Sequence, residues 1–173
     1  IAPVEIDAVY VTAGLKGHER DRESSSRGLS THGRRSYAED KPLVFTLVDR
    51  GSSQRYVVAA KSADESTVRL LLGAPEEKSL PVYTDGFQVY DPLEEAENYQ
   101  REVVIHGEGE YVDGDAHANT CESHASLARR WLSPHRGVSK DKLTPYLRAF
   151  QLRRRILRNP GRDDLKEIVR TVL

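Results

Sequence analysis

At 173 residues, with 38% apolar and 31% charged positions, the chain is sized for a single domain with its own core. No apolar run approaches the roughly 18 residues needed for a membrane span, and no apolar signal segment is found, so the reading is of a protein without a membrane partner. The single cysteine, Cys121, excludes an intramolecular disulfide and favours a reducing interior, while the net charge of -1 conceals opposite blocks along the chain.

Val4 to Val11 alternates with period two and is rich in β-branched residues, which predicts a strand ending before Ala13-Gly14. Residues 16–41 have almost no apolar periodicity and are crowded with serine and mixed charge, as expected of a long mobile loop. Leu43 to Val48 and Tyr56 to Ala60 predict two more strands, joined by a hairpin with Gly51 at its turn. Together these three strands form an antiparallel start.

Ser62 or Asp64 can cap a helix over Glu65 to Leu72, which Gly73 and Pro75 stop. A fourth strand at Val82 to Thr84 closes on Asp85, followed by an expected short acidic helix over Leu93 to Tyr99 and a fifth strand over Arg101 to Ile105. Gly107 to Gly114 reads as a turn-rich connection. Helical patterns then cover Asn119 to Leu132, Lys140 to Leu157 and Arg162 to Val172. The 119–173 region is therefore a basic helical region. Because the chain contains no methionine, it is expected to be part of a longer protein, with an N-terminal module missing from this sequence.

Charge changes sign along the chain. Between Ser62 and Ala116 there are 14 acidic and three basic residues, a net of -11. Between Ser126 and Arg158 there are ten basic residues and Asp141 alone, a net of +9. The basic residues include Arg129, Arg130, Arg136, Lys140, Lys142, Arg148, Arg153, Arg154 and Arg155. A polyanion track beside an acidic site and an ordinary solvated helix face both fit this pattern.

Three acids stand out. Asp7 is a carboxylate in a strand interior, where its charge must be paired, solvated or bound to a metal. Asp85 ends a strand before Gly86, where ligand sites gather in α/β sheets. Glu122 heads a helix whose apolar seam is Cys121, Ala125, Ala128 and Leu132, so the glutamate lies on a neighbouring polar face. Three carboxylates from distant segments can hold Mg²⁺ against a phosphodiester; a turn aspartate and a surface glutamate are the plainer alternative. His117, Cys121 and His124 offer zinc-type donors at spacings of four and three without an obvious fourth ligand. No G-x-S-x-G and no phosphate-cradling glycine loop occurs.

Three stretches, "VEIDAVYVTAG" from Val4, "YTDGFQVY" from Tyr83 and "YVDGDAHANTCE" from Tyr111, followed by a basic helix, together resemble the DDE-type transposases of insertion sequences, in particular the ISXO-type group. The resemblance runs from the first strand to the helix at Pro145 to Gln151. It implies an α/β, RNase H-like catalytic domain over residues 1–173: a mixed five-stranded sheet, its first three strands antiparallel, flanked by helices and followed by C-terminal helices. Asp7, Asp85 and Glu122 carry over as the catalytic, metal-holding D, D and E, with two Mg²⁺ ions, or Mn²⁺, as cofactors. His117 and Asn119 match positions near the glutamate and take supporting roles. The implied activity is metal-dependent DNA strand cleavage and strand transfer on transposon ends and target DNA, in a prokaryotic cytoplasm at the nucleoid, by a homo-oligomer. A nucleic-acid-binding relic without chemistry and a related nuclease or resolvase are the alternatives. After Glu122 the family's usual aromatic residues are replaced by Ser123-His124-Ala125-Ser126.

Overall fold

The computed structural model describes residues 2–11, 13, 42–73, 75, 79–104, 119–135 and 138–158, the Asn119 side chain excepted. The 16–41 and 107–114 segments, His117, Arg136 and the 162–172 helix of the sequence reading lie outside these residues. Five strands, β1 (Val4–Tyr10), β2 (Leu43–Asp49), β3 (Arg55–Ala60), β4 (Leu80–Thr84) and β5 (Tyr99–Val103), make one sheet in the order β3-β2-β1-β4-β5. β1, β2 and β3 pair antiparallel, whereas β4 runs parallel to both β1 and β5. This is the mixed sheet expected of an RNase H-like core.

Helices α1 (Glu65–Leu72), α2 (Asn119–Leu132) and α3 (Leu143–Arg158) flank the sheet. Alternation along the strands divides the core between its two faces. Ile6, Phe45, Leu47 and Val82 meet Val68 of α1, together with Tyr90, Leu93 and Tyr99, on one side. Val11, Val44 and Val57 meet Ala128, Leu132, Leu143, Leu147 and Phe150 on the other. With helices over both faces, β2 is buried along nearly its whole length, which explains why its sequence is a continuous apolar run rather than an alternating one.

Local chemistry sets the element ends. Asp64 caps α1, its Oδ1 accepting the Thr67 N–H at 2.8 Å, and Gly73 ends the helix at φ 74°, a conformation glycine adopts without strain. In the β2–β3 hairpin, Asp49 Oδ1 accepts the Gly51 N–H at 2.8 Å, and a Cβ at Gly51 would meet the Ala2 Cβ at 2.7 Å, so no larger residue fits there undisturbed. β3 is an edge strand, and the Gln151 amide of α3 closes part of that edge. It accepts the Val57 N–H at 3.3 Å and donates to the Val57 carbonyl at 3.1 Å.

One stretch departs from the sequence reading. The acidic helix expected over Leu93 to Tyr99 is instead a 3₁₀ turn at Gln88–Leu93, and the fifth strand starts at Tyr99 rather than Arg101. Tyr90 and Leu93 are buried against the core, which sets the turn early, and burial of Tyr99 draws the next residues into the sheet. Asp91 and Glu94 both bind the Arg101 guanidinium, at 2.7 and 2.8 Å. The 140–157 helix begins as a separate 3₁₀ turn at Lys140–Lys142 before α3 proper.

Phe45 is fully buried in the central part of the sheet, so Phe45→Ala should cost about 3–5 kcal/mol of stability. Urea denaturation followed by circular dichroism measures the loss; a cost under about 1 kcal/mol contradicts the packing described.

Candidate metal centre

The parallel pairing of β1 with β4 sets the first relation in the site. Val4 stands opposite Val82 and Glu5 opposite Tyr83, a constant offset of 78. The same offset separates Asp7 from Asp85, so Asp85, one residue past the end of β4, is level with Asp7 on the neighbouring strand. Asp7 and Glu5 share the pleat that faces α2 and α3, two positions apart on β1. Glu122 enters from the first turn of α2, exposed to solvent.

Asp7 is 9% exposed, and its Oδ1 accepts the Ala8 N–H at 2.7 Å. Burial holds its carboxyl above the usual range, and the negative charge of Asp85 and then of Glu122 adds to the rise. The Ala8 hydrogen bond and the Arg129 charge act the other way. Asp85 and Glu122 thus lie within electrostatic reach of Asp7. Asp85 is half-buried, its Oδ1 accepts the Phe87 N–H at 3.1 Å, and Arg101 donates to its carbonyl at 3.3 Å. Among the described residues no three His, Cys, Asp or Glu side chains are gathered so as to hold a metal ion. The fold places Asp85 and Glu122 within electrostatic reach of Asp7 rather than building a closed coordination shell.

The zinc-type set does not assemble among the described residues either. Cys121 is buried, its thiol donates to the Thr46 carbonyl at 3.5 Å, and burial, then the Glu5 charge, pushes its pKa up, away from the thiolate that binds zinc. His124 is buried as well, its ring 5.2 Å from that of Phe150.

Glu5 is a residue the sequence reading passed over. It is fully buried, accepts Arg50 Nε on Oε1 at 2.8 Å, and accepts the Cys121 N–H on Oε2 at 3.1 Å. A carboxylate is favoured at a helix N-terminus, where backbone N–H groups lack partners within the helix. Here that interaction ties the first turn of α2, and so Glu122, to the strand that carries Asp7. Arg50 also lies over the Tyr83 ring at 4.6 Å. The available signal was the alternation of β1, which puts Glu5 on the pleat of Asp7.

Of the basic residues, Arg129, Arg130, Lys142, Arg148, Arg153 and Arg155 are exposed, and Lys140 is half-buried. Arg129 reaches the carboxylates electrostatically, and Arg153 stands 5.8 Å from the Trp131 ring. Arg154 differs, with its Nε buried and lining a cavity at the β2–β3 hairpin end of the molecule.

This sheet, with Asp7 and Asp85 level on its paired parallel strands, belongs to a transposase domain: the ISXO2-like transposase domain family matches residues 2–155, and the chain is a member of it. A protein of Halobacterium salinarum described as "Uncharacterized protein in transposable element ISH50" is 67% identical over 171 residues, which cover 99% of this chain and 58% of that protein. The chain thus spans about three-fifths of its relative's length. Two solved structures of the HTLV-2 integrase catalytic core domain in complex with magnesium are also similar. The trimeric form is 11% identical, covering 96% of this chain and 80% of its own, at a TM-score of 0.36. The dimeric form is 12% identical, covering 82% of this chain and 79% of its own, at a TM-score of 0.37.

Two predictions follow from the electrostatics. A raised folded-state pKa at Asp7 means stability present below the ordinary carboxyl pKa and lost as pH rises through the folded value. In EDTA, Asp7→Asn should therefore melt above wild type at pH 7, with the gap closing towards pH 3.5; an unchanged gap in thermal melts across that range contradicts the assignment. Glu5→Ala removes the buried acceptor of Arg50 Nε and of the Cys121 N–H and should cost about 3–5 kcal/mol in urea denaturation.

Proposed function

We propose that this chain is the catalytic domain of an insertion-sequence transposase, performing divalent-metal-dependent cleavage and transfer of DNA strands. The observation that carries the proposal is the negative charge of Asp85 and Glu122 acting on buried Asp7, opposed by the charge of Arg129. A buried carboxyl strained by two neighbouring acids suits a dication, which relieves the repulsion that raises its pKa. Hard oxygen donors of this kind favour Mg²⁺ or Mn²⁺ over softer metals.

Asp7, Asp85 and Glu122 would hold the metal. When bound it supplies Lewis acidity at the scissile phosphate and a lowered pKa at the attacking hydroxyl. The chain's own residues do the rest. Asp7 is fixed by its strand and the Ala8 N–H, and Asp85 by Arg101 on its carbonyl and the Phe87 N–H on its side chain. Glu5 holds the turn that carries Glu122. Arg129, Arg130, Lys142, Arg148 and Arg153 present charge to the DNA backbone, contacts that position a duplex without reading its bases. Transposon ends and target DNA are the substrates this reading names.

The full chain, incubated with labelled duplexes carrying the ends of its own element, should release nicked product with Mg²⁺ or Mn²⁺ and none with EDTA. Asp7→Asn, Asp85→Asn and Glu122→Gln should each lower the rate on the order of a thousandfold, as expected when several kcal/mol of charge stabilisation are lost. DNA binding with no metal-dependent product would instead mark a relic, and preference for RNA-DNA hybrids a ribonuclease.

A further inference from the structure

A second constellation lies away from the carboxylates. A cavity of about 360 Å³ opens between the β2–β3 hairpin and the C-terminal half of α3, lined by Ser53, Arg55, His124, Gln151, Arg154 and Arg158 among others. None of the described residues lining it is an acid. Three elements contribute: Arg55 starts β3, His124 comes from α2, and Arg154 and Arg158 lie one helical turn apart on α3.

Several polar groups in this cavity are buried and have no hydrogen-bond partner among the described residues: both ring nitrogens of His124, Arg55 Nε and Arg154 Nε. His124 is 1% exposed. Buried donors are rarely left unmatched unless something else satisfies them. The charges also oppose one another. Burial first, then the Arg158 and Arg154 charges, lower the Arg55 pKa, while Glu5, which acts in the other direction, is bound to Arg50. Burial and the same three arginines pull His124 down to about 4. A folded protein that gathers three guanidinium groups and an imidazole, with no acid among the lining residues, stores repulsion that an anion would relieve. Guanidinium forks match the oxygens of phosphate in geometry as well as charge. Arg158 Nη1, donating to the Ser53 carbonyl at 3.0 Å, is held at the rim.

We propose that the cavity formed by Arg55, His124, Arg154 and Arg158 is a phosphate-binding site, separate from the carboxylates. The phosphate is either that of a DNA backbone passing the hairpin or that of a free phosphate-bearing molecule; the chemistry recognised is the same. The site does not rest on the transposase reading, and its failure would leave the carboxylates untouched.

The test is titration of inorganic phosphate against the full chain at constant ionic strength, followed by melting temperature and by calorimetry. Wild type should show a saturable rise in melting temperature, as a ligand of the folded state must produce. Arg55→Gln/Arg154→Gln should melt higher than wild type without phosphate, because repulsion is removed, and lose the response. Should that pair fail to fold, Arg158→Gln, at an exposed position, should bind phosphate on the order of tenfold more weakly, the scale of one charge-assisted hydrogen bond. No saturable response in wild type overturns the proposal, as does an equal response in the variants, which would be general salt stabilisation. A duplex-binding arm separates the sources: weaker duplex binding by the variants, with phosphate competing, assigns the site to DNA, and unchanged duplex binding with a lost phosphate response assigns it to a free phosphate compound.

Discussion

The parallel register between β1 and β4 is the constraint on which the candidate centre depends. Its offset of 78 makes residues from two distant parts of the chain neighbours, and Asp7 and Asp85 differ by that number. A slip of one residue would turn Asp85 relative to Asp7 and send the β4 side chains to the opposite faces. The slip is opposed by burial, because Val82 and Thr84 are fully buried in the present register. The position of an acid pair is thus secured by the burial of neighbouring strand residues. Arg101, inserted from β5 onto Thr84 Oγ1 and the Asp85 carbonyl, holds the end of the same strand.

A second level of organisation is electrostatic. The sheet face under α2 and α3 carries acids at its centre, Glu5 and Asp7, and a cation, Arg55, two strands away in the row of Glu5 and Val48. Glu5 stands between these regions. Its carboxylate is taken up by Arg50 and the Cys121 N–H, and it also acts on Arg55. A fully buried acid is stable only if its charge is matched. Meeting that need with a side chain from the hairpin and a backbone N–H from α2 fastens three elements together, so electrostatic satisfaction and placement of Glu122 are the same interaction.

Much of this was legible in the chain. The strands at 4–11, 43–48 and 56–60, the α1 cap at Asp64 and the limits of α2 could be read from local periodicity and capping chemistry, which act between near neighbours. The seam Cys121, Ala125, Ala128 and Leu132 is buried as its spacing implies. The reading failed at Leu93 to Tyr99, where a short acidic helix was expected and tertiary packing of Tyr90, Leu93 and Tyr99 decided otherwise. It also treated Arg154 as one more member of a basic surface, although neighbouring positions on a helix point in different directions and Arg154 turns inward.

By itself, then, the sequence determined the alternation that makes the strands, the cap and glycine stop of α1, the separation of acidic and basic blocks, and three acids worth watching. Only the tertiary structure decided that Asp7 is the buried one, that Asp85 stands beside it, that Glu5 anchors α2, and that Arg55, His124, Arg154 and Arg158 share one cavity. The division has a physical cause. Periodicity and capping are interactions over a few residues, written where they act. Adjacency between residues dozens of positions apart depends on strand register and helix docking, which the burial of many side chains settles together.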